Sequence, residues 1–221
     1  PGGAQAILEP WRNLFAQLEN ADGWDAMQSR YPDLEVIQRL AGKPLEVLRT
    51  LIQRGLNAPL SSSAGRLCDA VAAALGLGGE RILYEGQAAI ELEALTAGAM
   101  ASVETGYPFA ICTEASGMVL DAAPIWGMLC DDLAQGVAHE QIAARFHAGF
   151  AAAIVDLSVI LAERHGLQTV ALSGGVMQNR ILLESIDAGL RAAGCDVLIQ
   201  RQVPSNDGGL ALGQACIAAA R

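Results

Sequence analysis

Two turns that combine glycine with polar side chains are the strongest candidates for chemistry in this sequence. In residues 170–182, "VALSGGVMQNRIL", an apolar run stops at Ser173, Gly174 and Gly175 and a helix-like pattern follows. Because glycine has no Cβ, a ligand can approach the backbone closely, and N–H groups at the start of a helix favour a phosphate. Asn179, in the first turn of that predicted helix, can donate and accept a hydrogen bond, which suits a ribose or a base edge. We expect a nucleotide-binding turn here; the alternative is a strand-to-helix turn with no ligand.

The second turn lies in "VPSNDGGLALGQA" and contains Asp207 followed by two glycines. An aspartate at the start of a helix is usually an N-cap. A carboxylate beside a phosphate-binding loop is also where a divalent cation binds. One carboxylate does not complete a metal site, so the other ligands of such a cation would have to come from elsewhere.

Three further residues, in two predicted helices, are weaker candidates. Gly65 and Asp69 are four residues apart, so they share one face of a predicted helix, where Asp69 could accept from sugar hydroxyls. Gly86 lies in "YEGQAAIELE" and opens another predicted helix.

The elements that must position these residues alternate in the last quarter of the chain. Strands are predicted over 169–172 and 196–200, and helices over 177–193 and 208–220. A connection this long implies that the two strands are parallel. Because ligands bind at the carboxyl ends of parallel strands, we expect the two turns to face one cleft.

The rest of the chain reads as mainly helical. Helices are predicted over 5–19, from Pro44 to Gly55, from a serine cap at 61–63 to Gly76, over 87–103, from Pro124 to Gln135 and over 139–165, with a hairpin of strands 109–113 and 118–121 around Ser116. Residues 20–33 have no regular pattern. The predicted fold class is α/β, with many helices on a small sheet.

Composition narrows the possible functions. The net charge is −10 and no Lys/Arg cluster stands out, so a nucleic-acid partner is not expected. Fully apolar runs fall well short of the roughly 18 residues that a membrane span needs, so no membrane partner is expected. The five cysteines are widely spaced without a C-x-x-C pair. We read them as small buried hydrophobes in a reducing cytosol, which predicts a cytoplasmic location.

The three histidines do not form a metal site by spacing. His139, His147 and His165 lie in or beside one predicted helix, without the close pairing of helical metal ligands. We expect His147, next to the apolar stripe, to be a packed or hydrogen-bonded core histidine. The sequence also contains no recognisable Ser-His-Asp or Cys-His arrangement, so no catalytic residue is assigned.

Four ordered blocks together resemble a known family. "SSSAGRLCDAVAAALGL", "YEGQAAIELE", "LSGGVMQNRILL" and "VPSNDGGLALGQA" resemble the C-terminal part of the carbamoyl-transfer domain of HypF, the carbamoyltransferase of nickel–iron hydrogenase maturation. They resemble more loosely the TsaD-like and TobZ-like transferases. The resemblance implies an actin-like ATPase fold of two ribonuclease-H-like lobes with a nucleotide between them. This chain would be the second lobe, with 1–60 as a helical lead-in and 61–221 as the nucleotide-binding lobe.

The resemblance also implies roles for individual residues. Asp207 matches a metal ligand for Zn, Fe or Mg, and the nucleotide contacts fall on Gly65, Asp69, Gly86, Ser173, Gly174, Gly175 and Asn179. The implied ligands are ATP and carbamoyl-adenylate. The carbamoyl group would pass to the C-terminal cysteine of the partner HypE.

The resemblance implies an incomplete protein. The acylphosphatase-like, zinc-finger and YrdC-like modules of HypF have no counterpart here, and its first lobe, with a phosphate loop and paired metal-ligand histidines, would precede Pro1. We therefore expect weak nucleotide binding and no turnover from this chain alone. The alternatives are a non-catalytic binding or assembly module and the lobe of an ASKHA-type small-molecule kinase.

Overall fold

The computed structural model describes residues 1–115 and 117–220 of the chain, so Ser116, at the predicted hairpin turn, lies outside the described residues. Within them, the strands are β1 (Ala110–Glu114), β2 (Gly117–Asp121), β3 (Thr169–Leu172) and β4 (Asp196–Ile199). The α-helices are α1 (Gln5–Leu8), α2 (Trp11–Ala21), α3 (Trp24–Arg30), α4 (Glu35–Ala41), α5 (Leu45–Arg54), α6 (Ala64–Ala74), α7 (Gln87–Thr96), α8 (Ala123–Ala134), α9 (His139–His165), α10 (Arg180–Ala192) and α11 (Leu210–Ala219). The fold is thus helix-rich α/β with small sheets.

The N-terminal region contains more helices than the sequence pattern predicts. The single helix expected over 5–19 is divided into α1 and α2, because Pro10 disfavours a helical conformation at Glu9, whose φ is −123° and ψ 83°. Residues 20–33, where no pattern was found, contain α3. Helices α3 and α4 each have seven residues, about two turns, which is too short for an apolar period to stand out.

Helices α6 and α7 position three of the candidate residues, since Gly65 and Asp69 lie in α6 and Gly86 immediately precedes α7. Ser63 caps α6, since its Oγ accepts from the N–H of Arg66 at 3.4 Å. The helix expected over 87–103 is shorter than predicted: α7 ends at Thr96, and a 3-10 helix, Met100–Ser102, follows. Gly98 lies in the break and has the low helix propensity of glycine.

Strands form two separate pairs. β1 and β2 are antiparallel, with Ala110 opposite Asp121. β3 and β4 are parallel, with Thr169 opposite Asp196 and Leu172 opposite Ile199, as the long connection between them predicted. The carboxyl ends of β3 and β4, and hence the two candidate turns, therefore lie at the same edge.

Helix α9 is the central element, and its bounds agree with the prediction. It packs against α7, α8 and α10, and the ring of Phe146 lies 5.7 Å from that of Phe150. By length and composition alone it could also cross a membrane; among the described residues it is the one helix that could. Its buried side chains, which include Ile142, Phe146 and His147, belong to the core of this fold.

The backbone just before β1 lies in close contact with the backbone of α9. The N–H of Tyr107 donates to the carbonyl of Arg145 at 3.0 Å. A Cβ at Gly149 would overlap the carbonyl of Tyr107, and one at Gly106 would overlap the backbone of Gly149. Both glycines are needed for this approach.

The hydrophobic core is continuous from Trp11 on α2 to Val197 on β4. The core includes side chains from before and after residue 60, and the indole N–H of Trp126 donates to Gln17 at 3.2 Å. The division into a lead-in of 1–60 and a nucleotide-binding lobe of 61–221 stays a prediction. All ten residues of α11, by contrast, are exposed.

Candidate functional site

A cleft of about 780 Å³ lies where the predicted site residues converge. Of those residues it contains Gly65, Gly86, Gly175, Asn179 and Asp207, which come from all four sequence blocks. The N-terminal parts of α6 and α7, with the residues just before them, form one wall, and the segments after β3 and β4 form the other. The remaining lining residues are Ser63, Arg66, Cys68, Glu85, Ala89, Ile90, Glu93, Val176, Gln178 and Asn206.

Direct bonds join the two turns at the strand ends. The N–H of Gly174 donates to the carbonyl of Ser205 at 2.8 Å, and the hydroxyl of Ser173 donates to the same carbonyl at 3.4 Å. Ser173 and Gly174 therefore connect the turns and are not part of the cleft lining. Because Ser205 already accepts the N–H of Gly174, a phosphate contact by that N–H would require this bond to break, and the role of Gly174 in nucleotide binding stays a prediction. Gly174 has a φ of +101°, which favours glycine.

Asn179 is the N-cap of α10, one position before the first turn in which it was expected. Its Oδ1 accepts from the N–H of Leu182 at 2.9 Å. The N–H of Arg180 donates to Glu93 at 2.7 Å. These two side chains satisfy N–H groups at the start of α10. Phosphate binding at this turn stays a prediction.

Asp207 is exposed and lies in the second turn, which follows β4. The N-cap of the 3-10 helix Asp207–Gly209 is Asn206, whose Oδ1 accepts from the N–H of Gly208 at 3.0 Å. The alternative interpretation of Asp207 as an N-cap is therefore wrong. Within the described part of the chain no group of three His, Cys, Asp or Glu side chains could hold a metal ion. Asp207 can supply one ligand, and the residues present do not complete a site.

Asp69 is buried next to the cleft and does not line it. It is 2% exposed, and its Oδ2 lies 2.7 Å from Nη1 of Arg66. These two atoms lack the alignment of a hydrogen bond, so the contact is an ion pair. Burial raises the pKa of Asp69 to about 6, and the charge of Arg66 opposes this rise.

Arg66 is a cleft residue that the sequence analysis missed. It precedes Asp69 by three positions on α6, and this i, i+3 spacing was the available signal. Arg66 is the cation of the cleft lining, which also contains Glu85, Glu93 and Asp207. The charged side chains around the cleft are thus mainly carboxylates.

The glycines leave space on both walls. A Cβ at Gly65 would lie 3.6 Å from Oγ of Ser63 and 3.9 Å from Cγ2 of Val176, which are ordinary contacts. A Cβ at Gly175 would have no neighbour within 4 Å among the described residues. Gly86 is the N-cap of α7 with a φ of +78°, a left-handed conformation that favours glycine.

His147 is a buried, hydrogen-bonded core histidine, as predicted. Its Nδ1 lies 2.9 Å from the carbonyl of Ala143 and 3.0 Å from Oγ1 of Thr96. Its Nε2 lies 3.1 Å from Nδ2 of Asn179, a tertiary contact that the sequence analysis missed. Burial lowers the pKa of His147, and the Ala143 carbonyl opposes this effect.

Cys68 is the cysteine of the cleft lining. Burial raises the pKa of its thiol to about 12, and the charge of Asp69 adds to the rise. A thiol with this pKa is protonated at neutral pH and is a poor nucleophile. The reading of all five cysteines as buried is only partly right, because Cys216 is exposed and two others are half-buried.

Comparison with known proteins identifies the family. The family model described as "Carbamoyltransferase, Kae1-like Domain, second subdomain" matches residues 1–214. The chain is 40% identical over 221 residues to the carbamoyltransferase HypF of Rhodobacter capsulatus, of which it covers 27%. It is 39% identical over 221 residues to a HypF homolog of Cupriavidus necator, of which it covers 55%. The match includes 100% and 99% of this chain, respectively.

Solved structures give the same relationship. A crystal structure of full-length HypF in the phosphate- and nucleotide-bound form superposes with a TM-score of 0.85 at 34% identity, covering 99% of this chain and 27% of that one. HypF of T. kodakarensis superposes with a TM-score of 0.75 at 27% identity, covering 99% of this chain and 28% of its own. This chain therefore belongs to the HypF carbamoyltransferase family and corresponds to the second subdomain of its Kae1-like domain.

Proposed function

We propose that the cleft holds ATP and carbamoyl-adenylate during carbamoyl transfer in nickel–iron hydrogenase maturation. The observation that carries this proposal is that Gly65, Gly86, Gly175, Asn179 and Asp207 line one cleft of about 780 Å³. This volume lies within the roughly 300–1,000 Å³ of pockets for small ligands and cofactors. That a related HypF was crystallised with nucleotide and phosphate supports the same ligand class.

The residues of the two walls suggest which part of the ligand each wall contacts. Gly65 and Gly86 present backbone at one wall, where a flat nucleoside can approach closely. Gly175 and Asn179 supply a loop and an amide at the other wall. The carboxylates of Glu85, Glu93 and Asp207 disfavour an unaccompanied triphosphate, so a divalent cation is expected with it. We assign Asp207 one place in the coordination shell of that cation, with the other ligands supplied from outside this chain.

The chemistry requires no nucleophile from this chain. The C-terminal cysteine thiolate of HypE would attack the carbamoyl carbon and form the new C–S bond. The C–O bond to the adenylate phosphate would break, and AMP would leave with the bonding electron pair. The tasks of this chain are to bind the adenylate, orient its carbonyl and exclude water. The protonated thiol of Cys68 is consistent with an external acceptor.

We assign this chain as the second of two lobes of an actin-like ATPase fold, with its nucleotide-binding part over 61–221. The chain spans about a quarter to a half of the length of its relatives in Rhodobacter capsulatus and Cupriavidus necator. The other HypF modules and HypE are therefore the proposed partners, and the cytoplasm the proposed location. This chain would supply only part of an interlobe site, so alone it should bind nucleotide weakly and have no turnover.

Two measurements on the purified chain test the proposal. Calorimetric titration with ATP and Mg²⁺ should give weak, saturable binding, and the absence of binding at millimolar ATP would refute the nucleotide cleft. Carbamoyl transfer to HypE, followed by mass spectrometry, should require addition of the preceding part of a HypF protein. Clear turnover by this chain alone would refute its incompleteness while leaving the cleft assignment intact.

A further inference from the structure

A row of directed hydrogen bonds runs through the core and ends at the cleft. It begins on α7, where the hydroxyl of Thr96 donates to the carbonyl of Leu92 at 2.8 Å. It continues through the ring of His147 on α9 and ends at Asn179, the N-cap of α10. Thr96 and His147 are fully buried, and with Asp69 they are the buried polar side chains in the described part of the chain.

The bonds on the Nδ1 side fix the tautomer of His147. The carbonyl of Ala143 can only accept, so Nδ1 at 2.9 Å must carry a proton. Thr96 gives its hydroxyl proton to Leu92, so its Oγ1 presents lone pairs to the same Nδ1 at 3.0 Å. Both neighbours thus require N–H at Nδ1. A neutral ring with this proton has a bare Nε2, which accepts.

The bonds of Asn179 fix the orientation of its amide. Oδ1 faces the N–H of Leu182 at 2.9 Å, which identifies the acceptor end. Nδ2 faces Nε2 of His147 at 3.1 Å and donates one of its two protons there. Turning the amide over would place its oxygen against Nε2 and its NH₂ against the backbone N–H, so both contacts would become repulsive.

We infer that His147 is a positioning residue, which holds the amide of Asn179 so that its second N–H faces a ligand in the cleft. This role rests on the proposed nucleotide-binding function, but the orientation of the amide itself does not. His147 is shielded from the ligand and acts through Asn179. The expected ligand group at this N–H is a hydrogen-bond acceptor, such as a ribose oxygen or a base edge.

The first test is the tautomer of His147, which requires no ligand. Long-range ¹H–¹⁵N spectra of the purified chain at pH 7 distinguish protonated from bare ring nitrogens. The spectrum of His147→Gln identifies the His147 signals among the three histidines. We expect a protonated Nδ1 and a bare Nε2. A protonated Nε2 would overturn the inference, because it could not accept from Asn179.

The second test is a double-mutant cycle on ATP affinity. His147→Leu cannot accept the hydrogen bond and should weaken ATP binding about three- to tenfold, the range expected for one lost hydrogen bond. In an Asn179→Ala background the same change should have little further effect. Equal losses in both backgrounds would overturn the inference, since packing alone would then explain them.

Conservative variants separate positioning from packing. His147→Gln can place its amide oxygen near the former Nε2 and should retain most of the ATP affinity. The matched control is His165→Gln on the exposed end of α9, which should bind ATP like the wild type. Urea unfolding verifies that each variant is folded under assay conditions. If His147→Leu does not fold, the folded variant His147→Gln decides. A loss of ATP affinity in His147→Gln as large as that in Asn179→Ala would refute the positioning role of His147.

The two proposals can fail separately. If the wild type does not bind ATP but the Nε2 of His147 is bare, the nucleotide proposal is refuted and the fixed orientation of Asn179 stands. If ATP binds but the tautomer is reversed, the positioning role is refuted and the nucleotide cleft stands.

Discussion

Replacing Gly65 by alanine should separate the stability of the fold from ligand binding in the cleft. Gly65 is the second residue of α6, and an added Cβ would make ordinary contacts of 3.6 Å to Ser63 and 3.9 Å to Val176. Alanine is favoured over glycine in a helix by up to about 1 kcal/mol. The free energy of unfolding of Gly65→Ala should therefore be unchanged or raised by up to about 1 kcal/mol.

The same methyl group should weaken nucleotide binding. Gly65 lines the cleft, so a ligand that approaches its backbone would be overpacked by the methyl group. Overpacking costs about 1–3 kcal/mol. Since about 1.4 kcal/mol is a factor of ten, the affinity for ATP should fall about five- to 150-fold. The affinity should thus fall while the free energy of unfolding does not, which general damage to the fold cannot produce.

Urea unfolding and calorimetric titration with ATP measure the two effects on the same sample. The matched control is Gly213→Ala on the exposed helix α11, where an added Cβ would have no described atom within 4 Å. Its ATP affinity should equal that of the wild type. A stable Gly65→Ala variant that binds ATP as tightly as the wild type would refute the reasoning, because the ligand would then not approach this wall.

Three further changes test the packing and electrostatics of the site. Burial raises the pKa of Asp69 from 3.8 to about 6, so the folded state favours the protonated carboxyl. The stabilisation that this protonation provides is complete below pH 4, and about 3 kcal/mol of it is lost as the pH rises through 6. The difference in unfolding free energy between the wild type and Asp69→Asn should therefore fall over this interval, and a flat difference would contradict it. Gly149→Ala should destabilise by about 3 kcal/mol in urea unfolding, because overlap with the Tyr107 carbonyl outweighs helix propensity; a stabilised variant would be inconsistent with the close contact. Asn179→Ala should cost about 2 kcal/mol for the lost cap and the unsatisfied histidine, against about 0.5–1 kcal/mol for the lost cap alone in Asn206→Ala, and equal losses would count against the buried network.

The sequence pattern predicted a helix correctly where the helix is long or ends at a glycine. Helix α9 has its predicted bounds because its apolar pattern runs through seven turns. Helix α5 ends before Gly55, whose φ of +61° is a left-handed cap. The seven-residue helices α3 and α4 were missed because two turns give too few repeats.

The site was predicted in outline but not in its bonding. The resemblance of the four blocks to the HypF family implied that Gly65, Gly175 and Asp207 share one site, and all three line the cleft. The sequence could not reveal that Ser205 accepts the N–H of Gly174, because that bond depends on how two loops meet. His147 and Asn179 are 32 positions apart, and only the packing of α9 against α10 brings them together.

The exposed helix α11 has a consequence for how the molecule opens. A helix of ten residues is shorter than the roughly 12–15 at which isolated helices become even marginally stable, and its exposed side chains add little burial. Its amide protons should therefore exchange with solvent through local fraying, at almost no free-energy cost. Amides in α6 and α9, whose side chains fill the core, should exchange only when the whole domain unfolds. We therefore expect a cooperatively unfolding body and an exposed helix α11 that opens independently of it.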